Sequence, residues 1–300
     1  MIWIPAGNVT RHTDSLIAPD MDFFADPPPE IGTIISADSS LNSSSESKRI
    51  QSRIRSCLWE GIYGAAIGGL VALAVELPLL GSLIGVAIAV ILVLLSTRYA
   101  YHCSYVGERG IALSYLKGHR SAQPQTRIFC FQDGKNLYTQ QTRSYYNGIY
   151  TGTTFNYRWT RLSTPDFKLE GAHRSEKGNP PPENLWHFAD AAEGAWSVHL
   201  LQLVDQQLDQ LGYVEFPIKS SLNAVRIGSG FMEFEEKNGT RQRVDVADMK
   251  DIRLGSGVFQ FKHKGTTWWS GKGKYSFAYS NLPNARLFLI CLDRLTGIHW

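Results

Sequence analysis

Three places in this 300-residue chain combine residue type and spacing in ways that could do chemistry. Glu76 is one of two carboxylates in the apolar run from Cys57 to Thr97, which holds no Lys, Arg or His. At mid-bilayer and with a basic partner it would handle protons or ions. Asp245, Asp248 and Asp251 invite a metal cluster, but along a β segment that spacing turns them to different faces, so they read as solvated carboxylates. The stretch FKHKGTTWWSGKGKY, residues 261–275, sets Lys262, Lys264, Lys272 and Lys274 around a glycine-bounded turn with Trp268 and Trp269. That combination suits anionic headgroups and the interfacial layer of a membrane. Its plainer reading is an ordinary hairpin, in which adjacent Trp268 and Trp269 point to opposite faces and one packs inward.

No catalytic spacing accompanies them. His-Glu-x-x-His and Gly-x-Ser-x-Gly are absent, and Gly271-Lys-Gly273 lacks the further glycine of a dinucleotide loop. The Gly-Ser-Gly triplets at 228–230 and 255–257 fall between strand-like segments, where turn glycines belong. His199 lies on a helical stretch and reads as a packing or surface residue rather than a base. Cys57, Cys103, Cys130 and Cys291 are far apart and form no metal motif. The expectation is a protein without catalysis and without a cofactor or metal.

The elements that must position these residues divide the chain. Residues 1–50 hold seven acids against three basic residues, Pro27-Pro28-Pro29 and a serine-rich run, the composition of a disordered tail. The apolar run in residues 51–103 is too long for one membrane span of about 20 residues and suits two. Pro78 breaks it into a helical hairpin with Glu76 at a water-exposed turn, and Gly61, Gly64, Gly68, Gly81 and Gly85 allow the two helices to pack closely. Lys48, Arg49, Arg53 and Arg55 before the hairpin and Arg98 after it place both termini in the cytoplasm. The expected setting is therefore an integral membrane protein of a bacterial inner or thylakoid membrane.

Beyond the hairpin, alternating segments rich in Tyr, Thr, Ile and Phe are broken by Gly and Asn, with Asn147-Gly148 and Asn238-Gly239 as hairpin turns. Apolar residues then recur at helical spacing from about Trp186 to Leu211. The same order, strands and then a helix at NARLFLICLDRLTG, repeats to the C-terminus. The segment RSYYNGIYTGTTFNYRW and the second β unit ending in SNLPNARLFLICLDRL resemble an uncharacterised bacterial membrane-associated family with tandem pleckstrin-homology-like domains. That resemblance implies two barrels, at 104–216 and 217–300, each closed by a C-terminal helix. It implies no activity and carries no catalytic residues. The expected fold class is thus α+β, mainly β, with a transmembrane hairpin ahead of two barrels.

Charge narrows the partners. Residues 217–300 hold thirteen basic against seven acidic residues. Nucleic acid fits poorly, because no recognition helix or RNA-binding signature accompanies the charge. The sequence reads as a membrane-anchored scaffold whose cytosolic domains contact a protein partner or anionic lipid headgroups. The alternative is a small transport or channel component using Glu76.

Overall fold

The computed structural model describes residues 3–41, 43–73, 78–96, 100–117, 123–176, 179–218, 222–264 and 273–299; side chains are described there except at 43–53, 78, 93–96, 100 and 117. The chain divides into two units: Met1–Pro28, Ile35–Tyr105 and Ala112–Ile128 form one, and Pro29–Ile34, Val106–Ile111 and Phe129–Trp300 the other.

The first unit contains helices α1 (Ser43–Ala72) and α2 (Pro78–Ser96) and most of a four-stranded sheet. The sheet runs in the order β1 (Ile34–Ser39), β2 (Ala100–Gly107), β3 (Gly110–Lys117), β4 (Gln125–Cys130). Glycines set the helix hairpin: a Cβ on Gly64 would run into the Gly85 carbonyl, and one on Gly68 into that of Gly81. The N-terminal segment packs here as well. Phe23 is buried, Trp3 stands edge-on to Tyr105 (5.3 Å between centroids), and the Tyr105 hydroxyl donates to the Ala25 carbonyl. His12 bridges the hydroxyls of Ser36 (2.8 Å) and Ser104 (2.9 Å), and Arg11 pairs with Asp38 (2.8 Å).

Two expectations are corrected. Among the described residues no helix is long and apolar enough to cross a membrane. In α1, Arg55 and Glu60 interrupt the apolar side chains. The transmembrane hairpin, the integral-membrane setting and the cytoplasmic placement of both termini therefore lose their basis. Glu76, on which the transport alternative depends, lies outside the described residues. The second correction is to the barrels: the strands form separate open sheets of four, four, three and three strands, and among the described residues none closes. Alternating polarity is the same in an open sheet and a closed one, so the pattern alone does not reveal closure.

In the second unit, β5 (Gly134–Tyr146), β6 (Ile149–Arg161) and β7 (Phe167–His173) form one antiparallel sheet. Asn147 and Gly148 turn β5 into β6 with φ of 48° and 78°, as a two-residue reversal demands. Helix α3 (Leu185–Leu211) follows, with the Asn184 side chain accepting from the Trp186 amide at its start and Gly212 left-handed at its end (φ 75°). A meander of β8 (Tyr213–Pro217), β9 (Leu222–Gly228), β10 (Phe231–Glu236) and β11 (Arg241–Asp245) makes the next sheet, then β12 (Met249–Gly255), β13 (Val258–His263) and β14 (Lys274–Ala278) the last. The chain ends on α4 (Ala285–Thr296), the amphipathic helix whose Phe288 sits among Phe216, Phe259 and Phe277.

One polar group is buried on the face of the β8–β11 sheet opposite this core. Arg226 on β9 is 4% exposed, and the strand register sets Glu215 on one side and Glu233 on the other. Its guanidinium reaches both (2.6 and 2.8 Å) and also Glu235 (2.6 Å). Burial disfavours its charge, but the hydrogen bonds it donates to Glu235, Glu215 and Glu233 outweigh that and hold it protonated.

Candidate functional site

The site is assembled from an edge strand, a turn and a helix of the second unit. A cleft of about 500 Å³ runs along Thr139–Thr142 of β5. Its opposite wall is the β12–β13 turn, Leu254 to Val258, with Ala278, Tyr279 and Ser280 beside it. That turn is tight because Ser256 and Gly257 both take positive φ, 51° and 74°. The second Gly-Ser-Gly triplet is thus a turn, and the turn shapes the cleft.

Glu193 of α3 forms the floor together with Tyr157 of β6. Ala189, Ala192, Glu193 and Trp196 are all buried, and their spacing places the carboxylate on the apolar side of α3. Glu193 is 6% exposed, and its Oε1 has no hydrogen-bond partner among the described residues. Burial pushes its carboxyl up to about 7, with Arg286 pulling it down and Asp190 adding to the rise. Arg286 is turned toward Asp190, donating to its carboxylate and its carbonyl at 3.3 Å each. The hydroxyls of Tyr157 and Tyr279 are likewise raised, by burial first and by Glu193 next. Gln141 donates its side-chain amide to the Tyr157 hydroxyl (3.3 Å).

The backbone of β5 completes the cleft. In an antiparallel pair, alternate residues turn both backbone groups toward the partner strand. Asn136 faces β6, since its N–H donates to the Thr160 hydroxyl (3.1 Å) and its carbonyl accepts from the same group (3.2 Å). Leu137 faces the other way, onto Asn284 (2.8 Å from its N–H, 2.7 Å to its carbonyl). The register is regular from Asn136 to Ser144, so Thr139 and Gln141 also present N–H and C=O away from β6, into the cleft. Among the described residues no strand pairs with that side of β5.

The sequence-expected contact residues are partly visible. Lys262 lies on β13 opposite Lys274 of β14, so these two share a face; Trp268, Trp269 and Lys272 lie outside the described residues. On the other side Lys262 stands opposite Lys250 of β12, giving a row of three lysines across the sheet. Asp251 pairs with Lys262 (3.0 Å) and Asp248 with Lys264 (3.4 Å). The three aspartates therefore act as counterions or surface groups: Asp245 lies 3.9 Å from Arg243. Among the described residues no three His, Cys, Asp or Glu side chains converge as a metal site. His199 stacks on Trp196 (5.7 Å) and lies against Phe131, and burial lowers its pKa.

The cleft itself escaped sequence reading. Its one local sign is Glu193, a charge at an apolar position of a periodic helix. No protein-family model and no curated protein matches the chain.

Proposed function

We propose that the second unit is a non-catalytic binding module and that a protein partner docks in the cleft beside β5. The observation that carries this reading is Glu193: a carboxyl in the lining of a polar cleft whose Oε1 is buried without a hydrogen-bond partner among the described residues. Such a group costs stability in the free protein and is tolerated where a partner satisfies it. Chemistry is a weaker reading of the same cleft. Among the described residues its lining contains hydroxyls, amides and one carboxyl, with no His, Cys or Lys to act as nucleophile or second acid–base group. A binding role also agrees with the resemblance noted in the sequence, which implies no activity.

A second reading rests on the lysine row. Like charges placed directly opposite on a sheet repel, and Lys250, Lys262 and Lys274 are three in line. Anionic lipid headgroups would relieve that repulsion. Asp251 already offsets part of it, so the cleft is preferred.

The test places a photo-crosslinking side chain at Thr142 and, separately, at Lys250 of the full chain, in extract of the source cells. A discrete protein adduct from Thr142 that weakens in Glu193→Gln is the expected result. Co-sedimentation of the full chain with phosphatidylserine but not phosphatidylcholine vesicles, lost when Lys250, Lys262 and Lys274 become Glu, would move the function to the lysine row.

A further inference from the structure

We infer that the cleft binds an extended peptide segment that adds a strand to β5 and delivers a lysine or arginine side chain to Glu193. The inference rests on the cleft being the binding site and states what enters it. Two independent features of the same space define the occupant.

The first is the free edge. Thr139 and Gln141 turn donors and acceptors outward at alternate positions, the pattern to which a neighbouring strand bonds. Immediately before them, Asn284 already uses Leu137 in this way: its backbone N–H donates to the Leu137 carbonyl and its Oδ1 accepts from the Leu137 N–H. Asn284 thus imitates one residue of an added strand and marks where the covered part of the edge ends. The open part, Thr139 to Thr142, lies along the cleft, and a segment of three or four residues running there would continue the sheet.

The second is charge. An added strand sends alternate side chains to opposite faces, so one set can reach the floor of the cleft. There Glu193 lines the cleft with a carboxyl whose buried Oε1 lacks a partner among the described residues, and Arg286, a cation that acts on it, is engaged with Asp190. A lysine ammonium or an arginine guanidinium supplies the missing donor and the opposite charge. An apolar side chain would leave the carboxyl unsatisfied, a neutral donor would bond to it without the opposite charge, and an acidic one would repel it. Backbone pairing therefore supplies sequence-tolerant attachment, and Glu193 selects the position of one basic residue.

A display library of random decapeptides selected on the immobilised full chain tests this, with the best peptide then synthesised. Expected are enrichment of Lys or Arg at one position, at least tenfold weaker binding to Glu193→Gln, and loss of binding when alternate peptide amides are N-methylated. Gln141→Pro is a second variant: it removes one outward N–H and spares the β5–β6 ladder, so it also should abolish binding. Its circular dichroism should match the unmodified chain. Absence of any enriched peptide overturns the inference, as does equal binding by Glu193→Gln, by the N-methylated peptide or by Nα-acetyl-lysine amide alone. If these fail while the Thr142 adduct persists, the cleft remains a binding site and the added strand is what falls.

Discussion

Asn284 grips Leu137 from both sides of one residue and also accepts from the Trp196 indole N–H at 2.9 Å, so β5, α3 and the start of α4 meet at a single side chain. Asn284 manages this in the left-handed region, at φ 54°, which Asn tolerates better than most residues.

Asn284→Ala should therefore lose both acceptor bonds and strain the backbone, at about 2–3 kcal/mol. Asn284→Gly keeps the conformation without the bonds and should lie between. Urea unfolding of the three proteins separates the contributions. Equal stability of Asn284→Ala and the unmodified chain would remove Asn284 as a junction.

Glu193 gives stability a pH slope of unusual sign. Its folded-state carboxyl lies at about 7 against an ordinary value of 4.5, so the folded protein holds the proton that the unfolded chain releases. Stability should fall as pH rises from about 4.5 to about 7, by on the order of 3 kcal/mol in total. Arg286, Asp190, Tyr157 and Tyr279 are the groups that act on the Glu193 carboxyl. Glu193→Gln should abolish the slope and be the more stable protein at pH 8. A variant that is no more stable at pH 8 than the unmodified chain would show that the carboxyl carries no such cost.

Arg226 predicts the opposite behaviour in acid. The Arg226 guanidinium holds Glu235 below its usual carboxylate range. The stability this contributes is present above the unfolded carboxylate pKa and is lost as pH falls through the lowered folded value. Arg226→Ala leaves Glu215, Glu233 and Glu235 facing one another and should destabilise the fold at pH 7. Thermal unfolding at pH 7 and pH 3 should show a much smaller difference between the two proteins in acid. A constant difference would sink the ion-network account.

The helix hairpin of the first unit predicts a contrast between glycines. Gly85→Val and Gly64→Val force a side chain into the facing backbone and should open the α1–α2 contact. Gly61→Ala meets only Val86 and Val90 at 3.9 Å and should gain about 1 kcal/mol from helix propensity. Amide hydrogen exchange across Leu79–Leu92 reads both outcomes. Protection unchanged in Gly64→Val would rule out close packing at that level.

Local physics was legible in the residues themselves. The apolar spacing from Trp186 to Leu211 yields α3, because burying one stripe of a 3.6-residue period leaves few alternatives. Asn147-Gly148 yields the β5–β6 reversal, because only such residues take positive φ twice in succession cheaply. The Gly64 and Gly68 contacts of the hairpin were legible for the same steric reason. Relations between distant elements were decided by tertiary structure alone. Whether strands close into a barrel depends on which edges meet, and here Asn284, 147 residues along the chain from Leu137, takes the place of a neighbouring strand. The lysine row needs a register that no residue encodes locally, and Glu193 became a buried acceptor only when α4 and two sheets packed around α3. Local propensities act over a few residues, whereas pairing, burial and desolvation are set by neighbours that only the folded chain brings together.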